Sequence, residues 1–282
     1  MRIACGITLY NPEKEDLDNI LFYAGCFEKV YIYNNTVESN IIDYVMSRIR
    51  DYDNIMVISS GNNDGLSIAC NELCKYSKKE GFEYIILFDQ DTRMDEKNIG
   101  ILLNELKLIS SNKKIAMYCP KMVNFDGNED QKKDKEFVEW CITSGSVIDL
   151  SIFENPFVFD DNYFIDRVDR DYCKQVRDAG YKICKINSAV LYQQLGEERV
   201  VFGRKVSTHS RIRHYYIMRN RLYYNYKFYK KIEATILSFV QSIRHIVLIL
   251  FCESEKTKKI GMCVKGIKDY MNKNMGKYKG VC

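Results

Sequence analysis

The sequence predicts an α/β fold: a mainly parallel central sheet flanked by helices, followed by a C-terminal helical extension. Three observations predict it. Short apolar runs recur through the first half, and each is closed by a cluster of Asn, Asp or Gly. Segments with apolar residues at helical spacing separate those runs, as in a parallel sheet covered on both faces. From about Ser210 onward the pattern is helical.

The elements follow in order. Residues 3–9 are an apolar strand that stops at Tyr10-Asn11-Pro12. Leu17, Ile20 and Leu21 share one helical face, which predicts a helix over residues 16–23. Residues 30–33 form a strand closed by Asn34-Asn35-Thr36, and residues 41–49 a helix. Residues 55–59 form a strand ended by a turn over 61–65, with a helix over 66–76 behind it. Residues 84–88 form a buried strand that runs straight into Asp89-Gln90-Asp91. A helix over 97–109 and a strand over 115–119 complete this half. In the second half, residues 124–136 are polar and predict an exposed loop. Residues 138–150 are strand-like around Thr143-Ser144-Gly145-Ser146. Residues 172–179 predict a short helix capped by Gly180, and residues 181–186 and 189–192 two strands.

Composition excludes several classes. With 282 residues, 46% of them hydrophobic, the chain can fill one well-packed domain with an appendage. Only 3 prolines and 28% charged residues exclude a low-complexity chain. A net charge of +4 is too small an excess for a nucleic-acid binder. The 11 cysteines include no C-x-x-C pair, which excludes a zinc ribbon and points to free thiols in a reducing cytosol. The short apolar start ends at Asn11-Pro12 and does not read as a signal peptide, so a cytoplasmic location is expected. Residues 232–252 are interrupted by Glu233, Gln241, Arg244 and His245. The uncharged stretches left are short against about 30 Å of hydrocarbon, so this segment is expected to lie on a membrane surface rather than cross it.

In doubly wound sheets, ligands sit at the carboxyl ends of the strands. The loops at 10–12, 34–39, 61–65 and 89–92 are therefore the candidate site. Asp89 and Asp91 follow a buried strand, so two carboxylates stand close together, and a divalent cation would relieve their repulsion. The alternative is an acidic helix start with Asp91 or Thr92 as its cap. Asn63-Asp64-Gly65 with Asn71 suits a phosphate at a helix N-terminus, or an ordinary strand-to-helix turn. Asp166, Asp169 and Asp171 open a short helix. A carboxylate there can deprotonate an acceptor hydroxyl, or simply complement the helix dipole. Arg211, Arg213, Arg219 and Arg221 can clamp a diphosphate or form a basic helix face.

The order of these motifs over about residues 1–225 resembles family 2 glycosyltransferases of GT-A fold, in the rhamnosyltransferase-like branch. The resemblance implies a catalytic domain over 1–225 and a helical extension over 226–282. Residues 1–120 would bind a dTDP- or UDP-linked sugar through Thr8, Tyr10, Asn11, Asn34, Asn63, Gly65, Asn71, Asp89, Gln90 and Arg219. Residues 121–225 would hold the acceptor, with Ser144, Gly145 and Asp166 lining it. Asp91 would be the main ligand of Mn²⁺ or Mg²⁺ with Asp89 beside it, and Asp169 the catalytic base. Two positions depart from the family pattern: Asn34 stands where an Asp reads the nucleobase, and Gln193 where a His assists the metal or phosphate.

The function implied is metal-dependent, inverting sugar transfer to a glycan or lipid-linked acceptor in surface polysaccharide synthesis, with rhamnose as the leading sugar. The tail, with lysines at 256, 258, 259, 265 and 268, would pack as helices on the catalytic domain, contact the inner face of the membrane, or pair two chains as a homodimer. A nucleotidyltransferase would need a Gly-rich loop near residue 10, which is missing. The alternative reading is a catalytically degenerate GT-A domain that binds a glycan or a partner.

Overall fold

The computed structural model describes residues 1–110, 114–123, 134–154, 156–192, 197–201 and 204–280. The elements run β1 (Ile3–Leu9), α1 (Lys14–Cys26), β2 (Val30–Asn34), α2 (Ser39–Ile49), β3 (Ile55–Ile58), α3 (Leu66–Lys79), β4 (Tyr84–Asp89) and α4 (Glu96–Ile109). They continue with β5 (Ile115–Val123), β6 (Lys135–Phe137), β7 (Ser146–Asp149), α5 (Val168–Asp178), β8 (Lys182–Tyr192), β9 (Glu197–Val201) and β10 (Arg204–Thr208). Three helices follow: α6 (Arg211–Phe228), α7 (Lys231–Cys252) and α8 (Lys256–Met271).

Eight strands form one sheet in the order β3-β2-β1-β4-β7-β5-β8-β6. β1 pairs in parallel with both β2 and β4, and β2 with β3. β7 runs antiparallel between β4 and β5. β5 and β8 are parallel, and β6 pairs antiparallel with β8 at the edge. The strands of the first half are apolar throughout because both faces are covered; Ile7, Ile32, Ile86 and Phe88 are all buried. Gly6 is required in β1 by packing: a Cβ there would sit 2.8 Å from the Ile85 Cδ1.

The sheet differs from the sequence expectation in two places. Residues 138–145 do not extend as a strand; only Ser146–Asp149 pairs, because a turn with Gly145 at φ +75° precedes it. The two strands expected at 181–186 and 189–192 are one, β8, whose register against β5 shifts beside Pro120. A local irregularity in a continuous strand reads in sequence as a break. Residues 124–133 of the expected loop, and Gln193, lie outside the described residues.

The chain forms two compact units. One comprises Met1–Asp160 and Val168–Gln193, and holds the eight-stranded sheet with α1 to α5. The other comprises Asp161–Arg167 and Gln194–Cys282. In the second unit α6 and α8 approach closely at Gly266, where a Cβ would lie 2.6 Å from the Tyr215 carbonyl oxygen. The Tyr215 hydroxyl donates to Asp269 at 2.9 Å, and Lys265 pairs with the same carboxylate at 2.6 Å. Lys259, read in sequence as one of the lysines facing the membrane, is buried and paired with Glu253. Among the described residues, Cys5 to Cys263 carry no disulfide.

α7 packs one face inside this unit through Ala234, Ser238, His245 and Ile249. Its other face exposes Ile232, Ile236, Phe239, Val240, Ile243, Val247 and Phe251. The helix is continuous over 22 residues, about 33 Å at 1.5 Å per residue, so it is long and apolar enough to cross a membrane by length and composition. One stripe of the helix is buried in this unit, and Arg244 is exposed on it.

Gly266→Ala should force α6 and α8 apart and cost about 1–3 kcal/mol, the usual scale of overpacking. Urea denaturation of the two proteins measures it.

Candidate active site

The site is assembled where β1, β2 and β4 end. Thr8 lies opposite Asp89 on one side and Tyr33 on the other, and Leu9 opposite Asn34. Parallel pairing thus brings three loops to one edge. The Tyr10 N–H donates to the Gln90 side-chain oxygen at 2.7 Å, and the Asn11 N–H to the Thr36 hydroxyl at 2.8 Å. Asn11 adopts φ +45°, a left-handed conformation that Asn tolerates better than most residues. Tyr10 itself is half exposed at this edge.

The Asp89–Thr92 turn is held from two directions. From α1, Asn19 donates to the carbonyls of Gln90 (3.2 Å) and Thr92 (2.6 Å), and the Tyr23 hydroxyl donates to the Thr92 carbonyl at 3.0 Å. Tyr23 stacks on Phe88 with ring centroids 4.3 Å apart. From the turn before β7, the buried Ser144 hydroxyl accepts the Asp89 N–H at 2.9 Å and lies 2.6 Å from the Thr92 hydroxyl. Gly145 donates to the Leu87 carbonyl, and a Cβ on it would stand 2.8 Å from Leu191. Ser144 and Gly145, expected on the acceptor side, therefore brace the carboxylate turn.

Asp89 is half-buried and Asp91 exposed. Protein crowded around Asp91, with Asp16 as a neighbouring negative charge, holds its carboxyl above the ordinary aspartate value. Asp16 also accepts from the Gln90 amide at 2.9 Å and from the Glu13 N–H in the capping box of α1. Asp16, Asn19 and Tyr23 were not legible as site residues. In sequence they are a helix start and a helix face, and only the 3.6-residue turn aims them at the 89–92 turn.

The second and third loops lock together through amides. The Asn35 side chain accepts the Asp64 N–H at 2.9 Å and donates to the Gly65 carbonyl at 3.4 Å. The Tyr33 hydroxyl donates to Asp64 at 2.7 Å, and Ser60 donates to the same oxygen. Asn63 accepts the Gly65 N–H at 3.2 Å, and Gly65 opens α3 at φ +85°. Asn34 is buried, and its side-chain oxygen accepts the Thr36 N–H at 2.9 Å. That oxygen shapes its own turn and keeps a second lone pair. Asn71 is likewise buried; its amide donates to and accepts from the Phe159 backbone at 2.7 and 2.9 Å, tying α3 to the chain before α5.

Asp169 is half-buried in the first turn of α5 and accepts the Arg170 N–H at 2.7 Å. Asp171 is fully buried and receives the Gln175 amide. Arg170 lies over the Trp140 ring at 3.8 Å. Asp166 and Arg219 belong to the other compact unit. Asp166 and Arg167 both take positive φ, and Asn220 holds this turn through the carbonyls of Ile165 and Asp166. Arg219 is completely buried and donates to the Gly276 carbonyl at 2.7 Å, the Tyr215 hydroxyl at 3.2 Å and the Asn220 side chain at 3.0 Å. Its guanidinium organises α6 and the C-terminal segment.

A doubly wound sheet with paired carboxylates at the end of its fourth strand defines a nucleotide-sugar-type transferase fold. The comparisons agree. The family model for glycosyl transferase family 2 matches residues 30–171, and the chain belongs to that family: it is a glycosyltransferase. It is 28% identical over 273 residues to the dTDP-rhamnosyl transferase RfbF of Shigella flexneri, covering 89% of this chain and 88% of that protein. Among solved structures it resembles S. aureus TarS 1-349 in complex with UDP-GlcNAc, with a TM-score of 0.58 at 14% identity over 96% of this chain and 81% of that one. GalNAc-T7 with UDP, GalNAc and Mn²⁺ gives a TM-score of 0.55 at 11% identity, over 69% of this chain and 43% of that one. These two likenesses show a shared GT-A fold.

A carboxyl held above its ordinary value costs the folded state stability once it ionises, so removing the charge should help the ligand-free protein. Asp91→Asn should melt at a higher temperature than the parent at pH 7. The gap should narrow as pH falls through the carboxylate range, where the parent carboxyl takes up its proton as well. Thermal denaturation across that range measures both.

Proposed function

We propose that this glycosyltransferase is inverting and dependent on a divalent cation, and that it takes its sugar from a nucleoside diphosphate. The observation that carries the reading is the carboxylate pair at the end of β4, braced by α1 and by Ser144. Oxygen donors of this kind suit Mn²⁺ or Mg²⁺. Asp91 and Asp89 would hold the cation. When bound, it offsets the charge that develops on the leaving diphosphate.

The chain's own groups do the rest. Backbone and side chains at Thr8, Tyr10, Asn11, Asn63, Gly65 and Gln90 surround the donor. Asp169 accepts the proton of the acceptor hydroxyl as that oxygen attacks the anomeric carbon. The bond to the diphosphate breaks on the opposite face, and a single displacement inverts the centre. The relative's name supports rhamnose carried on dTDP as the donor. The acceptor is a glycan or lipid-linked saccharide of the cell surface.

Cytoplasmic action at the inner face of the membrane fits the exposed apolar stripe of α7. Lys230 and Lys231 lie at its start and Lys256 and Lys258 just beyond its end. Such a face can enter the interface while lysines meet anionic headgroups.

Asp169→Asn should lower the transfer rate by about 10²–10⁴-fold and leave nucleotide binding intact. Asp91→Asn should lose transfer and metal-dependent nucleotide binding together. Product formation from labelled donor, alongside nucleotide titration, separates the two. Undiminished transfer in Asp169→Asn would remove that residue as the base. A parent protein that binds nucleotide yet neither transfers nor hydrolyses it would favour the degenerate reading.

A further inference from the structure

The chain has 3 histidines, and all of them, His209, His214 and His245, fall in the unit that holds α6, α7 and α8. His214 on α6, His245 on α7 and Cys263 on α8 each present one donor atom, and the three atoms lie within 4.8 Å of one another. His214 and Cys263 are fully buried and His245 nearly so. One side chain from each helix thus meets at a single point.

Hydrogen bonds define which lone pairs face that point. The Nε2 of His214 is 3.2 Å from Glu253 Oε2, and the buried ammonium of Lys259 pairs with the same oxygen. Glu253 is held below the usual carboxylate range; burial opposes this, but Lys259 and His214 outweigh it. An ionised carboxylate only accepts, so His214 carries its proton on Nε2 and has a bare Nδ1. That Nδ1 is 3.0 Å from Nε2 of His245, which must then supply the one proton between them. The Cys263 sulfur sits beside this pair, with its thiol directed to the His214 carbonyl at 3.9 Å.

We propose that His214, His245 and Cys263 form a binding site for a zinc-type divalent transition metal that ties the three C-terminal helices together. Two imidazoles and a thiolate are the donor set of borderline-soft ions. Tetrahedral zinc, with bonds of about 2.0–2.3 Å, needs ligand atoms about 3.4–3.6 Å apart, and these three lie within 4.8 Å of one another. The ion takes the place of the proton between the rings. His245 moves that proton to Nδ1, Cys263 releases its own to solvent, and one proton leaves per metal bound. Glu253 behind His214 is the orienting carboxylate that such histidine ligands use. Burial lowers the pKa of His245, to about 3, and that of His214, so protons compete weakly for the rings at neutral pH. Burial raises the Cys263 thiol to about 11, and the nearby Arg221 charge works against that rise, in favour of the thiolate. One coordination position remains for water or for His209, whose ring centroid is 5.9 Å from that of His214.

The test uses the full-length protein stripped with chelator and titrated with Co²⁺, then Zn²⁺. One equivalent of Co²⁺ should give a thiolate-to-cobalt charge-transfer band with tetrahedral visible bands. Zn²⁺ should abolish them, release one proton and raise the melting temperature. The bands should persist in Asp91→Asn, which separates this site from the carboxylate pair. They should vanish in Cys263→Ser and in His245→Gln, each checked for folding by circular dichroism. The absence of the bands from the folded parent protein would overturn the proposal. So would bands that survive in Cys263→Ser, because they would belong to other cysteines.

Discussion

Two negative charges stand where an apolar strand leaves the core, and much of the first unit is arranged around holding them there. β4 is buried as far as Phe88, and the next residue begins the turn that carries Asp89 and Asp91. Asn19 and Tyr23 fix its carbonyls, and Ser144 fixes its first N–H. Gly145 makes the last contact possible, since any side chain there would collide with Leu191.

Parallel pairing explains why distant loops share one edge. β1 is central, so its end at Leu9 faces the ends of both β2 and β4. Asn35, Tyr33 and Asp64 then fasten the loops after β2 and β3 to each other. The amide-rich loops therefore serve two purposes. Some amides, such as those of Asn34, Asn35 and Asn71, satisfy backbone groups and fix loop shape.

These contacts mark the limit of what was legible in the sequence. The strands and helices of the first half follow from local periodicity, and β1 to β4 lie where the apolar runs placed them. The carboxylate turn was legible because its position after a buried strand is itself a local fact. The tasks of Asn34, Asn71 and Ser144 were not, because an amide or hydroxyl carries no sign of the partner it will meet 2 or 88 residues away. Asp16 and Lys259 were hidden for a similar reason: helix-start acids and surface lysines look alike until tertiary contacts single them out. The antiparallel β7 between β4 and β5 depends on long-range pairing that no local pattern encodes.

The most direct measurement is thermal stability against UDP, dTDP, GDP and CDP, each with and without Mn²⁺. A ligand bound only by the native state stabilises by about 2.7 kcal/mol at one hundred times its Kd. A rise in melting temperature that needs both Mn²⁺ and one nucleotide, dTDP above the others, is the expected result. A folded protein that responds to none of them, or equally with and without the cation, would contradict the role assigned to Asp89 and Asp91.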